Sequence, residues 1–399
     1  MTTFRRLALV MLALAVTACG QHQTPMVAPF EASEAMPEIE DLAKPTTPSA
    51  VRVDFNNTYK ERIDLNEPIA RKDPRNTDKS LLKLIRGAKA SIDGAFYDIS
   101  DPGVTKELVK AKLRGVKVRL VTDTDNIVDK EDPTKPRATI AELKAADVDV
   151  VDDKRSGIMH HKFMIVDDQI VWTGSTNLTT TSLYAHNNNA MTIKSKDLAD
   201  AYGEEFTRMF VRKQFGVSTR PELDQVAPVK IGKASFRVFF SPRGGGREAV
   251  VNEIKQAKKR VRFLTFSLTD IETGDTILQK AKEGVMIDGI FDRWLAAGQY
   301  SLFSKFKAAD LNVRKDGNEA LMHHKVIVID NDTVITGSYN YSQNAEANNN
   351  EAFLIIKGSP TLNAAFSKEA DRLTHAAKYN RPPAHKKPDD PENKTGEGP

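Results

Sequence analysis

His160-His161-Lys162-Phe163-Met164-Ile165-Val166-Asp167 is followed, after six residues, by Gly174-Ser175-Thr176-Asn177. The arrangement returns 163 residues later as His323-His324-Lys325-Val326-Ile327-Val328-Ile329-Asp330 with Gly337-Ser338-Tyr339-Asn340. On an extended strand, residues two apart share a face, so His160 and Lys162 project together while His161 points away. Phe163–Val166 continues that strand, Asp167-Asp168-Gln169 supplies a turn, and Ile170–Thr173 returns as a hairpin partner. Gly174-Ser175-x-Asn177 then emerges beside the strand start, so His160, Lys162, Ser175 and Asn177 can meet at one end of the hairpin. An imidazole that attacks or moves a proton, a fixed ammonium and neutral hydrogen-bond donors together suit a phosphate group. His323, Lys325, Ser338 and Asn340 repeat the set, and two hairpins face to face would enclose one anion.

The repetition reaches well beyond the motif. Ile85-Arg86-Gly87-Ala88-Lys89 recurs as Ile254-Lys255-Gln256-Ala257-Lys258, and Asp123 as Asp292, both 169 residues on. Lys144-Ala145-Ala146-Asp147 recurs 163 residues on as Lys307-Ala308-Ala309-Asp310. Near-constant offsets over such lengths indicate a duplicated domain. Each copy alternates strand-like and helix-like stretches: Val51–Phe55, Ile92–Ile99 and Val116–Thr122 as strands in the first copy. In the second, Phe236–Phe240, Val261–Leu268 and Val285–Phe291 read as strands, and Val250–Lys258 as a helix. The expected fold class is α/β, with two similar α/β/α layered domains (50–216 and 230–379, linker 217–229), each around a largely parallel or mixed sheet. They should pack about a pseudo-twofold axis, like a homodimer fused into one chain.

Composition sets outer bounds. The chain has 399 residues, 40% hydrophobic and 28% charged, with a formal charge of +4. That is ordinary for a globular protein and too little charge to argue for nucleic acid by itself. Leu7–Val16 is the only long apolar run and is far too short to span a bilayer. With Arg5 and Arg6 before it and small residues after, it reads as a secretory signal over 1–18. Val16-Thr17-Ala18-Cys19 resembles the bacterial lipobox, and Cys19, the single cysteine, falls where the lipid would be attached. Gly20 follows, which among such lipoproteins points to the outer membrane. The expectation is a chain lipid-anchored in the cell envelope, with a proline-rich tether over 19–49 and a proline-rich tail over 380–399.

The pattern His-x-Lys-(x4)-Asp-(x6)-Gly-Ser-x-Asn, present twice, resembles the signature of the phospholipase D superfamily, and the resemblance covers nearly all of residues 50–378. It implies one composite active site at the domain interface and phosphodiester cleavage through a covalent phosphohistidine, with no metal and no cofactor. His160, Lys162, Asp167, His323, Lys325 and Asp330 are then the candidate catalytic residues, the aspartates mainly structural in the family. Ser175, Asn177, Ser338 and Asn340 would support the phosphate. A zinc site is not expected, because adjacent strand residues such as His160 and His161 diverge and no cysteine joins them. The family also places a carboxylate against the second nitrogen of a catalytic histidine. Glu351 fits that role; the first copy offers Asn189, or Asn188 depending on where a one-residue gap falls. If Glu351 holds His323, that imidazole is the more often protonated and suits a general acid, leaving His160 as the nucleophile. The opposite assignment is open, since a carboxylate also strengthens an attacking imidazole.

Function narrows to four readings. A phosphodiesterase of phospholipid head groups leads, because the lipid anchor would hold the enzyme beside its substrate, acting as a monomer. A secreted nuclease of the same superfamily is second; Lys255, Lys258, Lys259, Arg260 and Arg262 form a basic run, but such runs are most often solvated faces. Phosphatidyl transfer, as in cardiolipin synthesis, and a non-catalytic lipoprotein binding anionic head groups complete the set. Paired imidazoles speak against the last, which needs cations only.

Overall fold

The computed structural model describes residues 50–60, 62–216 and 226–377. The expected signal peptide, Cys19, the tether, most of the linker and the tail lie outside the described residues.

In the first half the strands are β1 (Val51–Phe55), β2 (Ser91–Phe96), β3 (Lys117–Thr122), β4 (Asp149–Asp152), β5 (Lys162–Val166), β6 (Ile170–Gly174) and β7 (Asn189–Lys194), in the spatial order β1-β7-β6-β5-β2-β3-β4. The second half has β8 (Val229–Ile231), β9 (Ala234–Ser241), β10 (Arg260–Thr265), β11 (Met286–Phe291), β12 (Asn312–Lys315), β13 (Lys325–Ile329), β14 (Thr333–Gly337) and β15 (Glu351–Lys357), in the order β12-β11-β10-β13-β14-β15-β9-β8. Strand for strand this is one topology used twice, with β8 added at an edge. β2, β3 and β4 run parallel because helices Pro102–Leu113 and Ala138–Ala145 carry the chain back between them. The remaining pairs are antiparallel. Each sheet is therefore mixed, and the α/β class with two similar domains holds.

Local chemistry sets the element ends. Asp101 accepts a hydrogen bond from the Val104 amide at 2.8 Å, with Pro102 in the first helical turn; Asp270 accepts from Thr273 in the second half. The β5–β6 hairpin turns through the three residues Asp167, Asp168 and Gln169, with both aspartates at φ 52°. Every residue of β5 and β13 is buried, so these strands carry continuous apolar runs with no alternation.

Strands β2 and β10 stop at Phe96 and Thr265, three residues short of the expected Ile99 and Leu268. Phe96 pairs with Lys162 and Thr265 with Lys325, the first residues of their partners, and beyond them the chain peels away over the ends of β5 and β13. Tyr97 and Phe266 still donate their amides to His161 and His324, at 3.0 and 2.8 Å. Hydrophobicity alone could not mark that bend, since Tyr97, Ile99, Phe266 and Leu268 are all buried.

The halves share a core. One apolar cluster runs from Phe163, Ile165 and Met191 through Tyr202, Phe206 and Met209 of helix Lys196–Phe210 to Phe236, Phe240, Val326 and Leu354. Phe366 and Leu373 of helix Pro360–Ala377 complete it. Each half adds a cluster of its own on its outer face. A chain ending at Gln225 would lose the second-half wall of this shared core. We expect it to aggregate or self-associate and to show no turnover as a monomer, by size-exclusion chromatography with in-line activity assay; a fully active monomeric half would contradict the shared core.

Candidate active site

The two histidine-lysine segments meet where the halves exchange main-chain hydrogen bonds. Met159 and Asn350 form a parallel bridge, and Asn187 and Met322 form its counterpart. The His160 amide donates to the Asn350 carbonyl and the His323 amide to the Asn187 carbonyl, both at 2.9 Å. Each histidine is thus fixed by the opposite half.

The side chains cross over too. His160 Nδ1 lies 2.8 Å from both carboxylate oxygens of Glu351, so Glu351 holds His160 and not His323, contrary to the expectation from sequence. Asn188, not Asn189, is the counterpart of Glu351: its Oδ1 accepts from His323 Nδ1 at 2.9 Å, with the Ser175 carbonyl at 3.0 Å. Asn189 instead sits against His324 Nδ1 at 2.9 Å and accepts from the Thr336 hydroxyl at 3.0 Å. The physical reason is the bridge just described, which threads each asparagine segment past the histidine of the other half. Carboxylate and carbonyl acceptors at Nδ1 place the proton there in both rings, and Nε2 becomes the working nitrogen.

Ser175 and Ser338 differ from expectation as well. The Ser175 hydroxyl donates to Asn188 Oδ1 at 2.8 Å, and the Ser338 hydroxyl to Glu351 Oε2 at 2.5 Å. Each also accepts a backbone amide, from Asn189 and Ala352. With both capacities used, these hydroxyls orient the histidines' partners and do not face a phosphate. Asn177 and Asn340 are buried at the ends of the return strands. Lys162 and Lys325 are each 1% exposed, donate to the carbonyls of His160 and His323 at 3.1 Å, and lie over the rings of Tyr97 and Phe266. Two ammonium groups so deeply placed suit a site that receives an anion.

Asp167 and Asp330 belong elsewhere. Five residues of extended chain, about 16 Å, separate Lys162 from Asp167. There the Asp167 carboxylate accepts the amides of Lys89, Ala90 and Ser91, and Asp330 those of Lys258, Lys259 and Arg260. Burial pushes both carboxyls up, but these amides more than offset it and hold them below the ordinary range. They clamp the hairpin turn and cannot reach the reacting atoms. His161 and His324 point away as expected, into Glu205 and Glu369 at 3.1 and 2.9 Å.

Sequence reading passed over Asp123 and Asp292 as mere markers of duplication. Their carboxylates accept the amides of Met159 and Met322 at 2.8 and 3.0 Å, fixing the residues just before the histidines. Burial raises Asp123 to about 7, helped by Asp153, and Asp292 to about 6. Arg155 and Asn318, at equivalent places, grip Asn350 Oδ1 and Asn187 Oδ1 across the interface at 2.6 and 2.9 Å. Recurrence at a fixed offset was the available signal for the aspartates; nothing in the sequence pairs an arginine with an asparagine.

Burial raises Glu351 to about 7, against the pull of the nearby Lys162 charge and the Ser338 hydroxyl. Only the ionised form can balance charge building on His160, so turnover should rise with pH through about 7 on its acid side. Glu351→Gln, which keeps the shape and removes the charge, should erase that limb and lower kcat by roughly 10². Asp167→Ala should lower the melting temperature and leave the pH profile of kcat in place. Equal profiles for wild type and Glu351→Gln would refute the assignment.

A family model described as cardiolipin synthase, PLD-like domain, matches residues 81–210 and again 250–374. Mitochondrial cardiolipin hydrolase of Xenopus laevis is 33% identical over 130 residues, 33% of this chain and 59% of the relative. Phospholipase D of Rickettsia felis is 35% identical over 129 residues, 32% of this chain and 62% of the relative. The chain therefore spans about three-fifths of the length of these curated relatives. The solved phosphatidylserine synthase of Haemophilus influenzae superposes over 75% of this chain and 83% of its own, at TM-score 0.59 and 16% identity, a likeness of fold. With both halves matched by one family model, the chain belongs to the PLD-like domain family, carrying two copies of that domain.

Proposed function

We propose that the protein is a phospholipase D-type phosphodiesterase that cleaves phospholipid head-group diesters through a phosphohistidine. The observation that carries this reading is the pair of imidazoles, each held at its Nδ1–H by the opposite half, with one tied to a carboxylate and the other to an amide and a carbonyl. The names of the relatives, phospholipase D and cardiolipin hydrolase, support the substrate class.

His160 is the nucleophile in this scheme. Its Nε2 lone pair forms the P–N bond as the P–O bond to the leaving alcohol breaks, and Glu351 balances the positive charge that grows on the ring. His323 enters the step as the imidazolium, its Nδ1–H held by two neutral acceptors and its second proton on Nε2, and gives that Nε2 proton to the departing oxygen. In the second step the same nitrogen takes a proton from water, the water oxygen joins phosphorus, and the P–N bond breaks. Lys162, Lys325, Asn177 and Asn340 face the charge that builds on the phosphoryl oxygens. The nucleophile is the one preferred from sequence, now on the opposite electrostatic argument.

Acid-quenched turnover of labelled phospholipid followed by peptide mapping should place the phosphoryl group on the His160 peptide; an adduct on His323 alone would reverse the roles. Turnover should persist in excess chelator, and plasmid DNA should be a poorer substrate than phosphatidylethanolamine or phosphatidylcholine. The lipobox-like Val16–Cys19 supports an anchored position on the cell envelope as part of this reading. Cys19→Ser should release it from the membrane fraction or leave it unprocessed, read by fractionation and intact mass, and unchanged values for both would exclude the anchor.

A further inference from the structure

The two halves part company beside the recurring aspartates Asp123 and Asp292. Thr124 follows Asp123 in the first half, and its hydroxyl donates to Asp152 and Asp153 at 3.1 and 2.9 Å. Arg293 follows Asp292 in the second, a guanidinium where the first half has a satisfied hydroxyl. It is 7% exposed, and its Nε and Nη1 are buried with no hydrogen-bond partner. A guanidinium cannot escape the expense of burial by losing its proton, so such a group needs an anion.

Asp316, which takes the Arg293 backbone amide, makes no hydrogen bond to Nε or Nη1 of the Arg293 guanidinium. Asp316 gives its two oxygens to the backbone amides of Arg293 and Asn318, both at 2.7 Å. Burial and the neighbouring Asp292 push its carboxyl well above the carboxylate range against the pull of the Arg293 charge, and both its oxygens are already taken by backbone amides. Asp292 in turn holds the Met322 amide, one residue before His323. Arg293 therefore stands on the His323 side of the site, where the leaving alcohol departs.

We propose that Arg293 anchors a second anion subsite that takes a phosphate carried by the leaving group of the scissile diester. The inference rests on the phosphodiesterase reading above and deepens it. A guanidinium presents paired donors matched to phosphate oxygens, and its absence from the first half leaves the subsite on the leaving-group side alone. The substrate this favours is a lipid with two phosphates, in which the expelled alcohol is itself a phosphodiester.

The test compares wild type, Arg293→Gln and Arg293→Lys on bis(p-nitrophenyl) phosphate, phosphatidylcholine and diphosphatidylglycerol, the lipids in the same mixed micelles. Arg293→Gln should lose about tenfold or more in kcat/KM on diphosphatidylglycerol, chiefly through KM, and keep the wild-type values on the two single-phosphate substrates. Arg293→Lys should recover part of the loss. The melting temperature of Arg293→Gln without substrate should not fall, because an unpaired buried charge has been removed, and inorganic pyrophosphate should raise it less than in wild type. Equal losses on all three substrates, or a lowered melting temperature with no substrate dependence, would overturn the subsite and make Arg293 a structural residue. Failure of wild type on bis(p-nitrophenyl) phosphate would instead defeat the phosphodiesterase reading. Activity on that ester with none on either lipid would transfer the question to thymidine dinucleotides with and without a 5′-phosphate. Arg293-dependent preference for the phosphorylated form would keep the subsite and reassign its ligand, and no preference would overturn it.

Discussion

Everything at the site hangs on the exchange of two short backbone segments between the halves. Met159–His160 runs beside Asn350, and Met322–His323 beside Asn187. Without that exchange each hairpin would still form, since its turn and ladder are local, but its histidine would have neither main-chain anchor nor partner for Nδ1. The shared apolar core makes the exchange affordable. Helices Lys196–Phe210 and Pro360–Ala377 pack between the sheets and contribute Glu205 and Glu369, which hold the outward histidines His161 and His324. A buried polar network of this kind stabilises only when every member is satisfied. Here Glu351, Asn188 and Asn189 reach across to the histidines of the other half, while Glu205 and Glu369 hold those of their own.

The sequence was informative wherever the chemistry is local. Strand periodicity gave the opposed directions of His160 and His161, the paired aspartates gave the turn at Asp167 and Asp168, and constant offsets gave the duplication. It was silent on which half supplies which partner. His160 and Glu351 stand 191 positions apart, and only the closed fold decides whether Glu351 reaches His160 or His323. The serines misled for a related reason. A hydroxyl next to a phosphate motif looks like a ligand for phosphate, yet Ser175 and Ser338 are consumed by Asn188 and Glu351. The bends after Phe96 and Thr265 were hidden because the residues beyond them remain buried.

Several carboxyls share a pattern. Asp123, Asp292, Asp316 and Glu351 are all raised by burial, whereas Asp167 and Asp330, gathered by three amides each, are held low. The difference follows from depth: Asp167 and Asp330 are half-buried, so their amides outweigh the burial penalty, while the carboxyls behind the histidines are buried deeply enough for that penalty to win, even over the three amides that Asp292 accepts. Asp123, Asp292 and Glu351, near the reaction centre, are thus raised to about 7, about 6 and about 7, while Asp167 and Asp330 at the far end of the hairpins are held as charge.

The contrast between Glu351 and Asn188 carries a consequence for how such a machine can be encoded. In a dimer of identical subunits a mutation that installs a carboxylate beside one imidazole installs it beside both, and the two rings stay chemically alike. Covalent linkage of two copies lifts that restriction. Each histidine can then receive its own neighbour, one anionic and one neutral, and a division of labour that a symmetric assembly must improvise during turnover is written into the resting protein.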